Sequence, residues 1–220
     1  LAGRIFTILI KDLRQEARSR AAINSIFLFA IVTLTAVSFS IGNFPIDSNI
    51  HAALLWIIIF FTSMSGFAHV FLKEEESHTA DTLKLIADPN EIFLGKFFFN
   101  LILLLLVTLV IIPLYIGIFN FKVNNISIFI LVLFLGVIGL SSGGTIVAAI
   151  IAKASARGAL FSVLAFPILL PVLVMAITAT RTTFNKDSVN WLIPEIQGLF
   201  AYCVIVITAS LMLFEYIWND

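Results

Sequence analysis

Six stretches of this chain carry no charged side chain: residues 21–46, 48–72, 97–121, 123–152, 158–180 and 196–214. A helix needs about 17 to 25 residues to cross bilayer hydrocarbon, and each stretch meets that length, the last being the shortest. Helices of a soluble core are excluded because they must show a polar face, and 101–112 shows essentially none. Strands of an outer-membrane barrel are excluded because polar residues do not recur at every second position. Inside a bilayer the backbone must satisfy its own hydrogen bonds, so apolar runs of this length are helices. The expected fold is therefore all-α, with six transmembrane helices. The composition agrees: 60% of residues are hydrophobic and 12% charged, where soluble domains carry about a quarter charged.

Basic residues set the expected orientation. With the N-terminus inside, Arg4, Lys11, Arg14, Arg18, Arg20, Lys73, Lys84, Lys96, Lys153 and Arg157 face the cytoplasm, against Lys122, Arg181 and Lys186 outside. That is a clear positive-inside bias, and an even number of spans returns the C-terminus to the cytoplasm. Tyr216 and Trp218 are expected to anchor the last span at the membrane interface. The opening residues Leu1-Ala2-Gly3-Arg4, followed by a polar and basic stretch to Arg20, do not resemble a cleavable signal. Lys and Arg together number 13 and Asp and Glu 13, so no polyanion-binding surface and no nucleic-acid partner are expected.

Ahead of the first span, Ile5, Ile8, Leu9, Leu13, Ala17 and Ala21 recur at helical spacing, while Lys11, Asp12, Arg14, Gln15, Arg18 and Arg20 occupy the remaining surface. This predicts an amphipathic helix lying in the membrane interface, with residues 1–22 as a cytoplasmic elbow and 23–220 as the transmembrane domain. Two roles fit the elbow: a positive-inside anchor, or a frame for a cytosolic partner. The loop 73–96 is the other long cytoplasmic segment. Glu74, Glu75 and Glu76 continue from span two, with Glu74 at the loop edge. Thr79 or Thr82 can cap a short helix carrying Leu83, Leu85 and Ile86, which Asp88-Pro89 ends. A solvated connector accounts for the charges of this loop, and a docking helix accounts for its apolar residues.

The order of these features is similar to the CcmB family, the permeases of the cytochrome c maturation haem exporter. The resemblance rests on the basic N-terminal helix, Phe71 and the acidic triplet, and Leu83-Lys84-Leu85-Ile86-Ala87-Asp88-Pro89 before Lys96. It extends through Phe134-Leu135-Gly136-Val137-Ile138-Gly139-Leu140, Ala152-Lys153-Ala154-Ser155-Ala156-Arg157 and Phe166-Pro167-Ile168-Leu169-Leu170-Pro171-Val172, covering essentially the whole chain. The chain departs from many members in carrying His78-Thr79-Ala80-Asp81 where they place a glycine. The resemblance implies a six-span subunit of an ATP-binding-cassette assembly in the bacterial inner membrane, with haem as a candidate substrate of the complex. It also implies a cytosolic ATPase partner that carries the ATP, a second copy of this chain, a haem-handling membrane subunit and a haem chaperone. By the same resemblance, Glu75, Glu76, Leu83, Leu85 and Ile86 face the ATPase. No Gly-x-x-x-x-Gly-Lys-Ser/Thr loop occurs, so hydrolysis is expected on another polypeptide and the chain is not expected to be an enzyme. A permease for another hydrophobic or amphipathic substrate, or a scaffold without a transport path, are the alternatives.

Two further elements lie inside the spans. Gly136, Gly139, Ser141, Ser142, Gly143, Gly144 and Thr145 form a small-residue patch suited to close helix packing or to bending of span four. Pro167 and Pro171, four apart, each remove a backbone donor and predict a kink in span five, structural or gating; Pro113 does the same in span three. The histidines are His51, His69 and His78, and no pair is spaced to ligate one haem iron, so no bound cofactor and no metal site are expected. Cys203 has no cysteine partner in the chain and reads as a core residue. Asp and Glu are absent from the middle of the spans, which leaves no proton relay or catalytic carboxylate to assign.

Overall fold

Each charge-free interval carries a long helix in the computed structural model, which describes residues 2–42, 46–67, 70–71, 74, 80–120, 122–153, 159–184 and 193–219. The described helices are α1 (Ala2–Ser19), α2 (Ala21–Ile41), α3 (Ser48–Phe67), α4 (Ala80–Ile86), α5 (Pro89–Phe119), α6 (Ile126–Lys153), α7 (Ala159–Phe184) and α8 (Ile193–Asn219). Six of them, α2, α3 and α5 to α8, are long and apolar enough to cross a membrane. Beyond α3, residues 70, 71 and 74 are also helical.

One arginine and one asparagine mark the joints. Arg20, at φ 52°, separates α1 from α2, and Asn120, at φ 47°, closes α5. Asparagine tolerates this left-handed conformation because its short side chain bonds locally. Residues 124 and 125, ahead of α6, are fastened to the end of α7: Asn124 Nδ2 donates to the Phe184 carbonyl, and the Asn125 N–H donates to the Thr183 carbonyl at 3.3 Å.

Span three starts earlier than the sequence suggests. Asp88-Pro89 does close α4, but it also opens α5, with Pro89 at the first helical position and Glu91 completing a capping box by accepting from the Asp88 N–H at 3.2 Å. Of the two threonines considered as caps, Thr82 lies inside α4, and Thr79 lies outside the described residues. The 31 residues of α5 make a rod of about 46 Å at a rise of 1.5 Å per residue, against roughly 30 Å of hydrocarbon. Glu91 and Lys96 therefore belong to its first two turns rather than to a loop. Between the last two spans, residues 185–192 lie outside the described residues, while Arg181 is in α7 and Glu195 in α8.

The core is built around α6, which packs on α3, α5, α7 and α8. Its glycines make this proximity achievable. Gly139 and Gly143, four apart on one face, meet α7 and α8: a Cβ at Gly139 would lie 2.6 Å from Val172 Cγ2, and one at Gly143 would lie 2.5 Å from Leu169 Cδ2. Gly136 and Gly144 meet α3, with Trp56 and Phe67 lying where their side chains would be. Two hydrogen bonds cross between helices in this layer. Trp56 Nε1 donates to Thr180 Oγ1 at 2.7 Å, and Asn100 Nδ2 donates to Thr145 Oγ1 at 2.8 Å. On the flank, α2 rests on α3 through Ile26 against Gly66 and a 3.2 Å contact between the Ser25 and Ser65 hydroxyls.

Trp218 is not the interface anchor expected of it. It is buried, stacked on Phe214 with ring centres 5.5 Å apart and an interplanar angle of 16°, and it reaches Phe71 at 6.0 Å. Tyr216 alone of the two is exposed.

The glycine packing generates a paired prediction. In Gly136→Ala the new methyl sits 2.1 Å from Trp56 Cη2, and that indole is held by its bond to Thr180, so it cannot swing aside freely. The substitution is expected to cost about 1–3 kcal/mol through overpacking. Gly117→Ala, which meets nothing within 4 Å on α5, is expected to be neutral or stabilising by up to about 1 kcal/mol. Thermal unfolding of the two purified variants in one detergent checks the contrast.

Candidate functional site

One face of α1 carries Arg4, Ile8, Asp12 and Glu16, each four residues from the next, so they lie in a row along the helix. The amphipathic pattern places Asp12 on the polar outer surface. The structure instead turns Asp12 and Glu16 inward, and every member of the row engages a neighbour. Arg4 Nη1 lies 3.4 Å from Glu91 Oε2 and 4.0 Å from Asp88 Oδ2. Ile8 presses on α5 where Gly95 leaves room; a Cβ there would meet Ile8 Cγ2 at 2.7 Å. The Glu16 carboxylate accepts from the Ile23 N–H at 2.9 Å, satisfying a donor in the first turn of α2. Asp12 reaches Lys96.

Lys96 is the centre of this end of the bundle. It is 2% exposed, and its ammonium lies 2.9 Å from Asp12 Oδ2 and 2.7 Å from Glu74 Oε1. Lys11 closes the group from the rim, 2.5 Å from Glu74 Oε1 and 3.3 Å from Asp12 Oδ1. Among the described residues, two ammoniums and two carboxylates meet where α1, Glu74 and α5 come together. Glu74, expected at the loop edge, is buried here. Burial by itself would lower the pKa of Lys11, but Asp12 and the hydrogen bond from Lys11 to Glu74 outweigh it and hold the group above the ordinary lysine value of 10.5. A raised lysine contributes fully below its unfolded value and loses that contribution only as pH climbs through the folded one. The group is therefore charged throughout the neutral range.

Beneath the charges lies an aromatic bed. Lys96 Nζ is 5.8 Å from the Phe71 ring centre, and Phe71 packs on Phe214 at 5.7 Å. Phe93 reaches Phe214 at 5.4 Å and stacks on Phe97 at 6.4 Å. Since Phe214 and Trp218 belong to the C-terminal end of α8, that end and α1 lie at the same end of the bundle.

The residues expected at the ATPase face divide. Glu75 and Glu76 lie outside the described residues. Leu83 is half buried and packed on the core, whereas Leu85 is 88% and Ile86 61% exposed. Sequence reasoning passed over Asp12, Lys96 and Arg4 as parts of a site. The available signal was the Asp88-Pro89-Asn90-Glu91 capping box, which starts the helix at Pro89 and so sets Lys96 two turns inside it.

Among the other sequence candidates, Gly136, Gly139, Gly143 and Gly144 all meet helices of this same chain. Pro167 and Pro171 lie within α7, and the Ile168 carbonyl between them accepts from the Tyr202 hydroxyl of α8 at 2.5 Å. The tyrosine reaches it past Gly139 and Gly143. His51 Nδ1 and the Tyr115 hydroxyl are 3.0 Å apart, and that hydroxyl also lies 3.1 Å from the His51 carbonyl; His69 and His78 lie outside the described residues. Cys203 is buried, with its thiol 3.3 Å from the Leu135 carbonyl. Among the described residues no group of three or more His, Cys, Asp or Glu is placed to hold a metal ion.

Six apolar spans, an N-terminal helix clamped across the start of the third, and a short helix with exposed aliphatic residues ahead of the third define a multi-pass membrane protein. Residues 3–212 match the CcmB protein family, and the chain belongs to that family. It is thus a non-catalytic permease subunit of a multi-subunit ATP-binding-cassette complex that handles haem in c-type cytochrome maturation. No curated relative matches the chain.

Lys96→Met removes the buried cation that Asp12 and Glu74 share, so it is expected to cost about 3–5 kcal/mol. Arg4→Ala removes an exposed partner and is expected to cost under about 1 kcal/mol. Unfolding in detergent separates the two. Stability lost in Lys11→Met should be constant across neutral pH and shrink only in strongly alkaline buffer, by the sign of the raised lysine pKa.

Proposed function

We propose that α4 is the contact through which a separate cytosolic ATPase grips this subunit, with Leu85 and Ile86 as the inserted side chains and Leu83 anchoring the helix to the body. The observation that carries this reading is the exposure of two large aliphatic residues on a seven-residue helix that joins spans two and three. A solvated connector gains nothing from such residues. Filling a partner groove with each would contribute on the order of 1–2 kcal/mol. Glu75 and Glu76 supply acidic edges to the same contact, where exposed ion pairs add less.

The same reading makes the loop side cytoplasmic, with both termini inside, in a bacterial inner membrane. Ten basic residues assigned to that side against three on the other support it. Two copies of the chain, each presenting one docking helix, serve a two-ATPase engine, in company with a haem-handling membrane subunit and a haem chaperone. The broad apolar faces of α2 and α8, including Leu28, Val32, Ile205 and Met212, are available to lipid or to the second copy. The chain acts at the step that exports haem or releases the haem-loaded chaperone.

Leu85→Asp is expected to strip the ATPase from the purified complex and abolish c-type cytochrome production at an unchanged membrane level of the chain. Normal ATPase retention and normal cytochrome yield in that variant would make the helix a mere connector. Reporter fusions after Asn49, Lys84, Asn124, Ala156, Lys186 and Asp220 should alternate outside and inside, starting outside. A cytoplasmic signal at Lys186 would overturn the six-span orientation.

A further inference from the structure

The docking helix is joined to the membrane body through a base that the permease role does not by itself require. Glu74 and Lys96 bracket the loop that carries α4, and their 2.7 Å contact closes it. Asp12 adds α1 to the same ammonium at 2.9 Å. Along α1, Arg4 holds the capping box of α5 and Ile8 fills the space left by Gly95. Helix α1 therefore meets α5 at three successive levels, polar, apolar and ionic. A tether or membrane anchor would require none of these, and burying Lys96, Asp12 and Glu74 carries a desolvation cost that a hydrophobic join would avoid.

We propose that α1, the loop base at Glu74 and the first two turns of α5 form one rigid coupling unit, with Lys96 as its positioning residue. Movement imposed on Leu85 and Ile86 is carried as a body into spans two and three, because the base of the loop cannot open while Lys96 grips Glu74 and Asp12. Phe71 and the Phe214–Trp218 stack pass the same displacement to the end of α8. Lys96 touches no substrate and no nucleotide; it acts by fixing where α4 stands relative to the spans. This inference rests on the reading of α4 as the ATPase contact. It adds that binding the ATPase and being driven by it are separable.

The neutral quadruple variant Lys11→Met, Asp12→Asn, Glu74→Gln, Lys96→Met removes both ammoniums and both carboxylates of the clamp together. Expected for it are a normal membrane level, a retained ATPase and a c-type cytochrome yield reduced by about tenfold or more, within the usual span of couplings between sites. Lys96→Arg, which keeps the charge, should recover most of the yield. A neutral variant that retains its ATPase and matures cytochromes normally would overturn the proposal while leaving the docking reading intact.

A second measurement uses the otherwise unaltered chain in its complex, with spin labels at Phe6→Cys and Asn90→Cys, both outside the buried core, in a Cys203→Ser background. The distance between them should be narrowly distributed and the same without nucleotide and with ATP trapped. A shift of several ångströms between those states would overturn the rigid unit, whatever the neutral variant does. If the unsubstituted chain retains no ATPase, the docking reading fails. The label distance still decides the clamp: a narrow distribution that broadens in the neutral variant supports it, and a broad one in both overturns it.

Discussion

An ammonium withdrawn from water at the edge of a bilayer must find its counter-charges within the protein, and the geometry around Lys96 follows from that requirement. Two carboxylates from different parts of the chain meet it, Asp12 from α1 and Glu74 from between spans two and three. Neither tolerates burial without a cation. The arrangement is mutually dependent: α1 lies where it does because Asp12 needs Lys96, and the ends of spans two and three stay together because Glu74 does. The aromatic rings beneath exclude water and so strengthen each contact.

Elsewhere in the bundle the organising force is different. Apolar side chains gain little by leaving lipid for protein, so helices associate through shape and a few hydrogen bonds. The glycines of α6 supply the shape, admitting Trp56 and Phe67 on one side and α7 on the other. Asn100 with Thr145 and Trp56 with Thr180 supply the bonds. The membrane interior is thus held by close fit, and the end of the bundle near α1 by charge.

The spans were legible because hydrocarbon permits only one backbone solution over such long uncharged runs, and family membership was legible in the order of diffuse motifs. The inward face of α1 was not. Periodicity assigns charged residues to the outside, and nothing local to Asp12 reveals that Lys96, far along the chain, waits for it. Trp218 misled for a related reason: an aromatic residue at the end of a span is commonly an interface anchor, and only Phe71 and Phe214 brought beside it make it core. Leu83 and Leu85 are chemically identical in the sequence. Only folding of α4 onto the core gives one of them to the interior and the other to solvent.

The length of α5 carries a consequence for the lipid around it. A helix longer than the local hydrocarbon ordinarily relieves the mismatch by tilting. Here the overhanging turns are tied to α1 and to Glu74, so tilting α5 means tilting its neighbours as well. Mismatch with the bilayer is then met by the tied helices as a group rather than by α5 alone.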